Sequence, residues 1–177
     1  PDDASAYYNL GNSYANKGDF ENAIKSYEKA ITLNPDYASA YYNLGNSYDN
    51  KGDFENAIKS YEKAITINPD YASAYYNLGI SYDNKVDFEN AIKSYEKAIT
   101  LNPDDASAYY NLGISYGNKG DFENAVEAYE KAITLNPAYA SAYYNLGNSY
   151  ANKDDFENAI KSYEKAITLN PDYASAY

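Results

Sequence analysis

The residues from Tyr41 to Tyr71 read YYNLGNSYDNKGDFENAIKSYEKAITINPDY, and nearly the same residues recur on both sides of them every 34 positions. Copies begin at Pro1, Pro35, Pro69, Pro103 and Pro137, and a sixth begins at Pro171 and continues for seven residues. A period of about 20 to 50 residues indicates stacked units that bury their apolar faces against their neighbours. We therefore predict one repeat array over 1–177, with repeats 1–34, 35–68, 69–102, 103–136 and 137–170 and a truncated sixth repeat 171–177.

The composition excludes several classes of site. The chain of 177 residues contains 25 tyrosines but no cysteine, histidine, methionine or tryptophan. Without cysteine there is no disulfide and no thiolate metal site, and without histidine the commonest acid–base catalyst is missing. The acidic turn around Asp49 and Asp53 does not have the glycine spacing of an EF-hand loop. We therefore expect neither an enzyme nor a cofactor nor a structural metal.

The charge argues against polyanionic partners. The formal net charge is −12, the isoelectric point is near 4.3, and every basic residue is lysine. Nucleic-acid binding depends on basic residues that neutralise phosphates, so no nucleic-acid partner is expected. No apolar run approaches the roughly 18 residues of a membrane span, and no basic-then-apolar signal sequence is present. We expect a soluble piece of a longer array with no membrane partner, and we favour the cytoplasm.

The second repeat predicts a pair of helices. The first helix is expected from about Ala38 to Asn50, with Tyr41, Leu44, Gly45 and Tyr48 on one packing stripe at i, i+3, i+4 and i+7. Gly45 in the middle of this stripe indicates close approach of the partner helix, because glycine otherwise weakens a helix. The second helix is expected from Phe54 to about Ile67, with a charged outer face that includes a Glu55–Lys59 pair.

Local signals predict the turns. Gly52 is expected at the left-handed end of the first helix, Asp53 as the N-cap of the second helix, and Asp70 as the N-cap of the following one. Val86 and Asp154 occupy the position of Gly52 in two other repeats. A β-branched residue is strained at positive φ, so we expect a local adjustment of the turn at Val86.

These residues closely resemble the tetratricopeptide repeat. The resemblance rests on the 34-residue period and on Tyr41, Leu44-Gly45, Tyr48, Ala57, Tyr61, Ala64 and Pro69, and it covers the whole chain. It implies an all-α, right-handed superhelical solenoid of antiparallel helix pairs, whose concave groove is lined mainly by first helices and receives a peptide or a partner helix.

The resemblance also suggests two binding modes. The clamp that some members use for a terminal carboxylate needs basic residues, and here Tyr8, Ser73 and Asn77 stand at those sites, so no clamp is expected. The second mode is a row of asparagines that holds peptide backbone, with matching residues Asn9, Asn43, Asn77, Asn111 and Asn145. The alternative is that these asparagines only hydrogen-bond to neighbouring helices.

The predicted peptide groove follows the first-helix face opposite the packing stripe. An aromatic row of Tyr8, Tyr42, Tyr76, Tyr110 and Tyr144 is expected to provide contact area, although these rings could instead pack between repeats. One groove position is asparagine in three repeats and isoleucine in the two middle ones, as Asn12, Asn46, Ile80, Ile114 and Asn148. The two isoleucines predict an apolar pocket, unless the exchange is neutral drift. Asp49 and Asp83 lie at the margin.

The favoured function is a protein-interaction scaffold that binds a protein or peptide ligand in this groove. The alternative is a structural array that associates end to end, with Tyr173 and Tyr177 of the truncated repeat on the exposed end. A carbohydrate or other polar ligand on the Tyr and Asn surface is a third possibility.

Overall fold

The computed structural model describes residues 3–171, which form ten α-helices. The helices are α1 (Ala4–Asn16), α2 (Phe20–Leu33), α3 (Ala38–Asn50), α4 (Phe54–Ile67), α5 (Ala72–Asn84), α6 (Phe88–Leu101), α7 (Ala106–Lys119), α8 (Phe122–Leu135), α9 (Ala140–Asn152) and α10 (Phe156–Leu169). The predicted bounds of the two helices of the second repeat are confirmed. Tyr173 and Tyr177, predicted at the exposed end, lie outside the described residues.

The chain forms two compact units, Pro1–Asp87 and Phe88–Tyr177. In the first unit, which contains α1 to α5, each helix packs against the next one along the chain. The second unit, which contains α6 to α10, repeats this arrangement. Successive first helices also contact each other directly: α1 contacts α3 in the first unit, and α7 contacts α9 in the second.

A small cluster of side chains forms the core of each junction between repeats. Between α2 and α3, the residues Ala23, Ile24 and Tyr27 pack against Leu44 of the next repeat. Equivalent clusters contain Ala57, Ile58, Tyr61 and Leu78 in the first unit and Ala125, Val126, Tyr129 and Leu146 in the second. The buried tyrosine requires the glycine of the first helix: a Cβ on Gly45 would lie 2.6 Å from Tyr61 Cε1.

The buried surface of the first helices differs from the predicted stripe. On α3 the buried residues are Ala40, Leu44, Gly45 and Ser47, whereas Tyr41 and Tyr48 are only half-buried. The reason is that α3 packs against both α2 and α4, so two flanks of the helix are covered rather than one. Tyr48 lies at the edge of this surface, where its hydroxyl donates to Glu28 Oε1 of the preceding repeat.

The N-caps are partly as predicted. Asp53 caps α4 by accepting a hydrogen bond from the backbone N–H of Asn56, as predicted. The prediction that Asp70 caps α5 is wrong, because the N-cap position falls one residue later, on Tyr71, which makes no side-chain cap bond. Where an aspartate occupies that later position, as Asp105 does before α7, its side chain does cap the helix.

The turn at Val86 is not adjusted, contrary to the prediction. Val86 keeps a φ of 60°, close to the 75° of Gly52. The hydrogen bonds of the turn are also the same, since the N–H of Val86 donates to Asp83 O at 2.9 Å and that of Gly52 donates to Asp49 O at 2.9 Å. The backbone of the turn is therefore much the same with valine as with glycine, so the strain stays on this exposed valine.

Candidate functional site

The aromatic row lies on first helices and bridges successive repeats. The ring centroid of Tyr42 lies 5.9 Å from that of Tyr61 in its own repeat and 4.9 Å from that of Tyr71 in the next. Tyr8 makes the same two contacts with Tyr27 and Tyr37. In the second unit Tyr110 stacks near Tyr129 and Tyr139, and Tyr144 near Tyr163. These rings are half-buried, as is Tyr76 on α5, so each keeps part of its surface open to solvent.

The predicted asparagine row makes hydrogen bonds between repeats. The Nδ2 group of Asn43 donates to Tyr8 Oη at 3.1 Å and to Asn12 Oδ1 at 2.9 Å. Asn77 repeats both bonds with Tyr42 and Asn46. Both amide hydrogens of these two asparagines are therefore committed within the protein, and a ligand could use only their oxygens. Asn145 donates to Tyr110 Oη at 3.1 Å. Asn9 is exposed on α1, and Asn111 is half-buried on α7.

Asp49 has a role that the sequence did not indicate. Its Oδ2 lies 2.7 Å from Tyr61 Oη and its Oδ1 lies 2.7 Å from Ser81 Oγ of the next repeat, so the carboxyl group links α3, α4 and α5. Burial raises the pKa of Asp49 above its usual range, although the hydrogen bonds from Tyr61 and Ser81 oppose the shift. The sequence does show that this position varies, because the residue equivalent to Asp49 is alanine or glycine in three other repeats, at Ala15, Gly117 and Ala151. This variation could have marked Asp49 as a residue with its own role.

Two cavities lie where the aspartate is replaced. The cavity of about 370 Å³ in the first unit is lined by Ala15, Tyr27, Ser47 and the amides of Asn12, Asn43 and Asn46. The cavity of about 220 Å³ in the second unit is lined by Ile114, Gly117, Tyr129, Asn145, Asn148 and Ser149. Tyr61 and Ser81, which hold the Asp49 carboxyl group, are the equivalents of Tyr27 and Ser47. At the junction of α3, α4 and α5, therefore, Asp49 supplies its own polar group where these two junctions have a cavity.

The remaining predicted groove residues are dispersed. Ile114 packs against the core cluster of α8 and α9, and Ile80 lies half-buried on α5. The apolar pocket predicted to join them would combine residues of different units, and it stays a prediction. Asn148 Oδ1 accepts a hydrogen bond from Tyr163 Oη, and Asp83 is half-buried on α5.

Residues 3–171 present neither a cluster of metal ligands nor a membrane-spanning helix. Within this range, no group of three or more acidic residues is placed to hold a metal ion. None of the helices in the same range combines the length and the apolar character needed to cross a membrane.

Comparisons with known proteins identify the family. Family profiles described as TPR repeat match residues 11–52 and 87–120, and profiles described as tetratricopeptide repeat match residues 38–71, 60–93 and 110–174. Curated proteins gave no match.

Solved structures agree with these profiles. A crystal structure of MamA protein is 33% identical with a TM-score of 0.91, covering 97% of this chain and 94% of its own. YrrB, described as a TPR protein with an unusual peptide-binding site, is 30% identical with a TM-score of 0.89, covering 99% of this chain and 90% of its own. MamA from Desulfovibrio magneticus RS-1 is 25% identical with a TM-score of 0.91, covering 98% of both chains. The predicted fold class, an all-α solenoid of antiparallel helix pairs, is confirmed, and the chain belongs to the tetratricopeptide-repeat family.

Proposed function

We propose that this chain is a protein-interaction scaffold that holds an extended peptide or a partner helix against the Tyr- and Asn-bearing face of its first helices. The family supports the scaffold, and the similarity to YrrB supports a peptide ligand, since YrrB is described as having a peptide-binding site. The observation that carries the proposal is the recurrence of cavities lined by several asparagines and one buried tyrosine, Tyr27 in the first unit and Tyr129 in the second.

The polar groups of this face suit a ligand without a carboxylate anchor. The positions that would carry the basic residues of a clamp hold Tyr8, Ser73 and Asn77, and the amide hydrogens of Asn77 are already used in bonds to the preceding repeat. With a net charge of −12, the chain also repels acidic ligands at long range. We therefore propose a neutral or basic peptide.

A peptide-display selection on the whole chain, followed by affinity measurement of the selected peptides, tests this proposal. The groove variant Ile80→Asn with Ile114→Asn restores the residue found at Asn12, Asn46 and Asn148, so it should preserve the fold. We expect it to weaken binding about tenfold, because it removes apolar contact area. The matched control, Glu127→Lys, restores the exposed outer-face lysine seen at Lys59 and should leave affinity within about twofold.

Two results would count against this function. One is a selection that yields no peptide with saturable binding. The other is an affinity that falls with the outer-face control and not with the groove variant. A selected peptide should also bind equally well with a free C-terminal acid or a C-terminal amide, because no cationic clamp is proposed.

A second candidate function is end-to-end self-association. It is favoured by three exposed apolar side chains, Leu10 on α1 and Phe156 and Ile160 on α10. The counterparts of Leu10 and Ile160 within the array, such as Leu44 and Ile24, form apolar contacts between repeats, so two copies could form the same contact in a heterologous, open manner.

A further inference from the structure

At two junctions of the first unit, two hydrogen-bond donors converge on one amide oxygen. Tyr27 Oη donates to Asn12 Oδ1 at 2.8 Å, and Asn43 Nδ2 donates to the same oxygen at 2.9 Å. At the next junction Tyr61 Oη and Asn77 Nδ2 lie 2.7 and 2.8 Å from Asn46 Oδ1. An amide oxygen has two lone pairs, so one asparagine satisfies both donors.

The junction of α7, α8 and α9 keeps the two donors but not the acceptor. Tyr129 and Asn145 are the equivalents of Tyr27 and Asn43, whereas Ile114 stands at the position of Asn12 and Asn46. Asn145 Nδ2 donates one hydrogen to Tyr110 Oη. Over residues 3–171, neither the other Asn145 hydrogen nor the Tyr129 hydroxyl has an acceptor. Tyr129 is only 3% exposed and lines the cavity of about 220 Å³, so its hydroxyl is reached from this cavity while the ring stays in the core.

Gly117 provides the space beside this hydroxyl. A Cβ on Gly117 would lie 4.0 Å from Tyr129 Oη, with nothing else within 4 Å. Asp49 occupies the equivalent position on α3, and its carboxyl oxygen reaches Tyr61 Oη at 2.7 Å. A ligand group placed where the Asp49 carboxyl group lies would therefore reach the hydroxyl of Tyr129.

We propose that this cavity binds the side-chain carboxamide of an asparagine or glutamine of the partner, whose amide oxygen accepts hydrogen bonds from Tyr129 Oη and Asn145 Nδ2. The inference rests on the proposed peptide-binding function, which it makes specific for one kind of residue. The ligand oxygen enters beside Gly117, where the Asp49 carboxyl group lies in the equivalent junction, and supplies the acceptor that Asn12 Oδ1 and Asn46 Oδ1 supply elsewhere. Asn118, which also lines the cavity, offers an oxygen that can accept from the ligand's amide nitrogen.

A carboxamide fits better than a carboxylate. None of the residues that line the cavity is a lysine, so a carboxylate would lose hydration without gaining an opposite charge. Asp49 indicates the same preference, because burial raises its pKa and so favours the neutral carboxyl group at the equivalent position. Ile114 and Phe122 in the lining provide apolar contact for the methylene groups of a glutamine.

The test is an NMR titration of the whole chain with propionamide, a mimic of the glutamine side chain, and with propionate as its charged counterpart. The reporter is the side-chain amide signal of Asn145, and the Asn43 signal in the same spectrum is the internal control. We expect saturable shifts of Asn145 with propionamide at neutral pH, at least threefold larger than those of Asn43, and no saturable shift with propionate. Equal shifts at the two asparagines, or stronger binding of propionate, would overturn the proposal.

Three variants make the assignment specific. Ile114→Asn restores the internal acceptor, and Tyr129→Phe removes one donor, so each should weaken propionamide binding about three- to tenfold. Conversely, Asn12→Ile removes the acceptor of the first junction and should produce a saturable shift at Asn43. Unchanged binding in Ile114→Asn would contradict the proposal, and so would the absence of a new Asn43 shift in Asn12→Ile, provided that the variant keeps the wild-type helix signals.

The peptide selection separates this inference from the function on which it rests. Selected peptides that bind the groove but tolerate replacement of every Asn and Gln by Ala, with less than about twofold loss, would refute the carboxamide site and leave the scaffold function standing. Propionamide binding at Asn145 without any selected peptide would support the site and refute the peptide groove.

Discussion

The hydroxyl oxygen of Tyr61 lies 2.7 Å from Asp49 Oδ2 and also 2.7 Å from Asn46 Oδ1. Tyr61 has a single hydroxyl hydrogen, so it can donate to only one of these oxygens. The carboxyl oxygen of Asp49 and the amide oxygen of Asn46 therefore compete for the same hydrogen. Burial raises the pKa of Asp49, and the hydrogen bonds from Tyr61 and Ser81 oppose that shift.

Asp49→Asn should stabilise the protein at neutral pH. The amide nitrogen would donate to Tyr61 Oη at every pH, and the amide oxygen would accept from Ser81 Oγ as Asp49 Oδ1 does. A raised pKa in the folded state means that the contribution of Asp49 to stability is greatest at low pH and is lost as the pH rises through that pKa. We expect the variant to be more stable by about 1 kcal/mol near pH 7.5, with solvent screening limiting the gain, and nearly equal near pH 4.

Urea unfolding of both proteins at the two pH values measures this difference. Asp19→Asn is the control with the opposite sign, because hydrogen bonds from Asn22 lower the pKa of that capping carboxylate. Because its pKa is lowered on folding, the Asp19 carboxylate stabilises the protein above the unfolded-state pKa, and this contribution is lost as the pH falls through the folded-state pKa. Asp19→Asn should therefore reduce stability more at the higher pH than at the lower one. The same pH trend in both variants would exclude a specific effect of Asp49.

Gly45→Ala should destabilise the protein, whereas Gly117→Ala should not. The new Cβ at Gly45 would lie 2.6 Å from Cε1 of Tyr61, and this ring is fully buried and cannot move away. We expect a loss of about 2 kcal/mol from overpacking. A Cβ on Gly117 meets only the Tyr129 hydroxyl, at 4.0 Å, and helix propensity should then add roughly 0.5 kcal/mol. Denaturant unfolding measures the change in the free energy of unfolding for each variant. Equal changes in the two would show that only helix propensity differs from the wild type.

Val86→Gly should raise the melting temperature. Val86 has a φ of 60° and is 68% exposed, so the substitution relieves backbone strain and sacrifices little packing. We expect a gain of about 1 kcal/mol, net of the larger entropy of an unfolded glycine. Asp154→Gly tests the same geometry, since Asp154 has a φ of 58°. Its gain should be smaller, because aspartate tolerates the left-handed region better than valine does. A thermal melt in which Val86→Gly unfolds at or below the wild-type temperature would show that this turn is not strained.

The features that were predicted correctly depend on neighbours in the sequence. The start of α4 follows from Asp53, and the end of α3 from Gly52, because caps and left-handed residues act within one turn. Asp70 was misassigned by a single residue because α5 begins at Ala72, which leaves the N-cap position to Tyr71.

The features that were missed depend on register between repeats. Asn43 pairs with side chains 31 and 35 residues earlier, and Asp49 with one 32 residues later. A repeated asparagine is consistent with either a ligand row or a junction bond until the neighbouring helix is placed. The unpaired donors of Tyr129 and Asn145 can be recognised only by comparison with the other junctions, where an asparagine oxygen accepts from the equivalent donors.

The exposed side chains of Leu10 on α1 and Ile160 on α10 predict self-association. Within the array, Leu44 is 7% exposed and packs against Ile24, which is 8% exposed. Leu10 and Ile160 are the equivalents of this pair, and they are 44% and 57% exposed. Because Leu10 and Ile160 can repeat the Leu44–Ile24 contact between two copies, we expect sedimentation velocity to show a mass that grows with concentration. Ile160→Lys should abolish this growth by placing a charge in the contact, whereas Thr168→Lys, an equal change of charge at an exposed position of α10, should not. A monomer at every concentration, or equal dissociation by the two lysines, would rule out association through this apolar end.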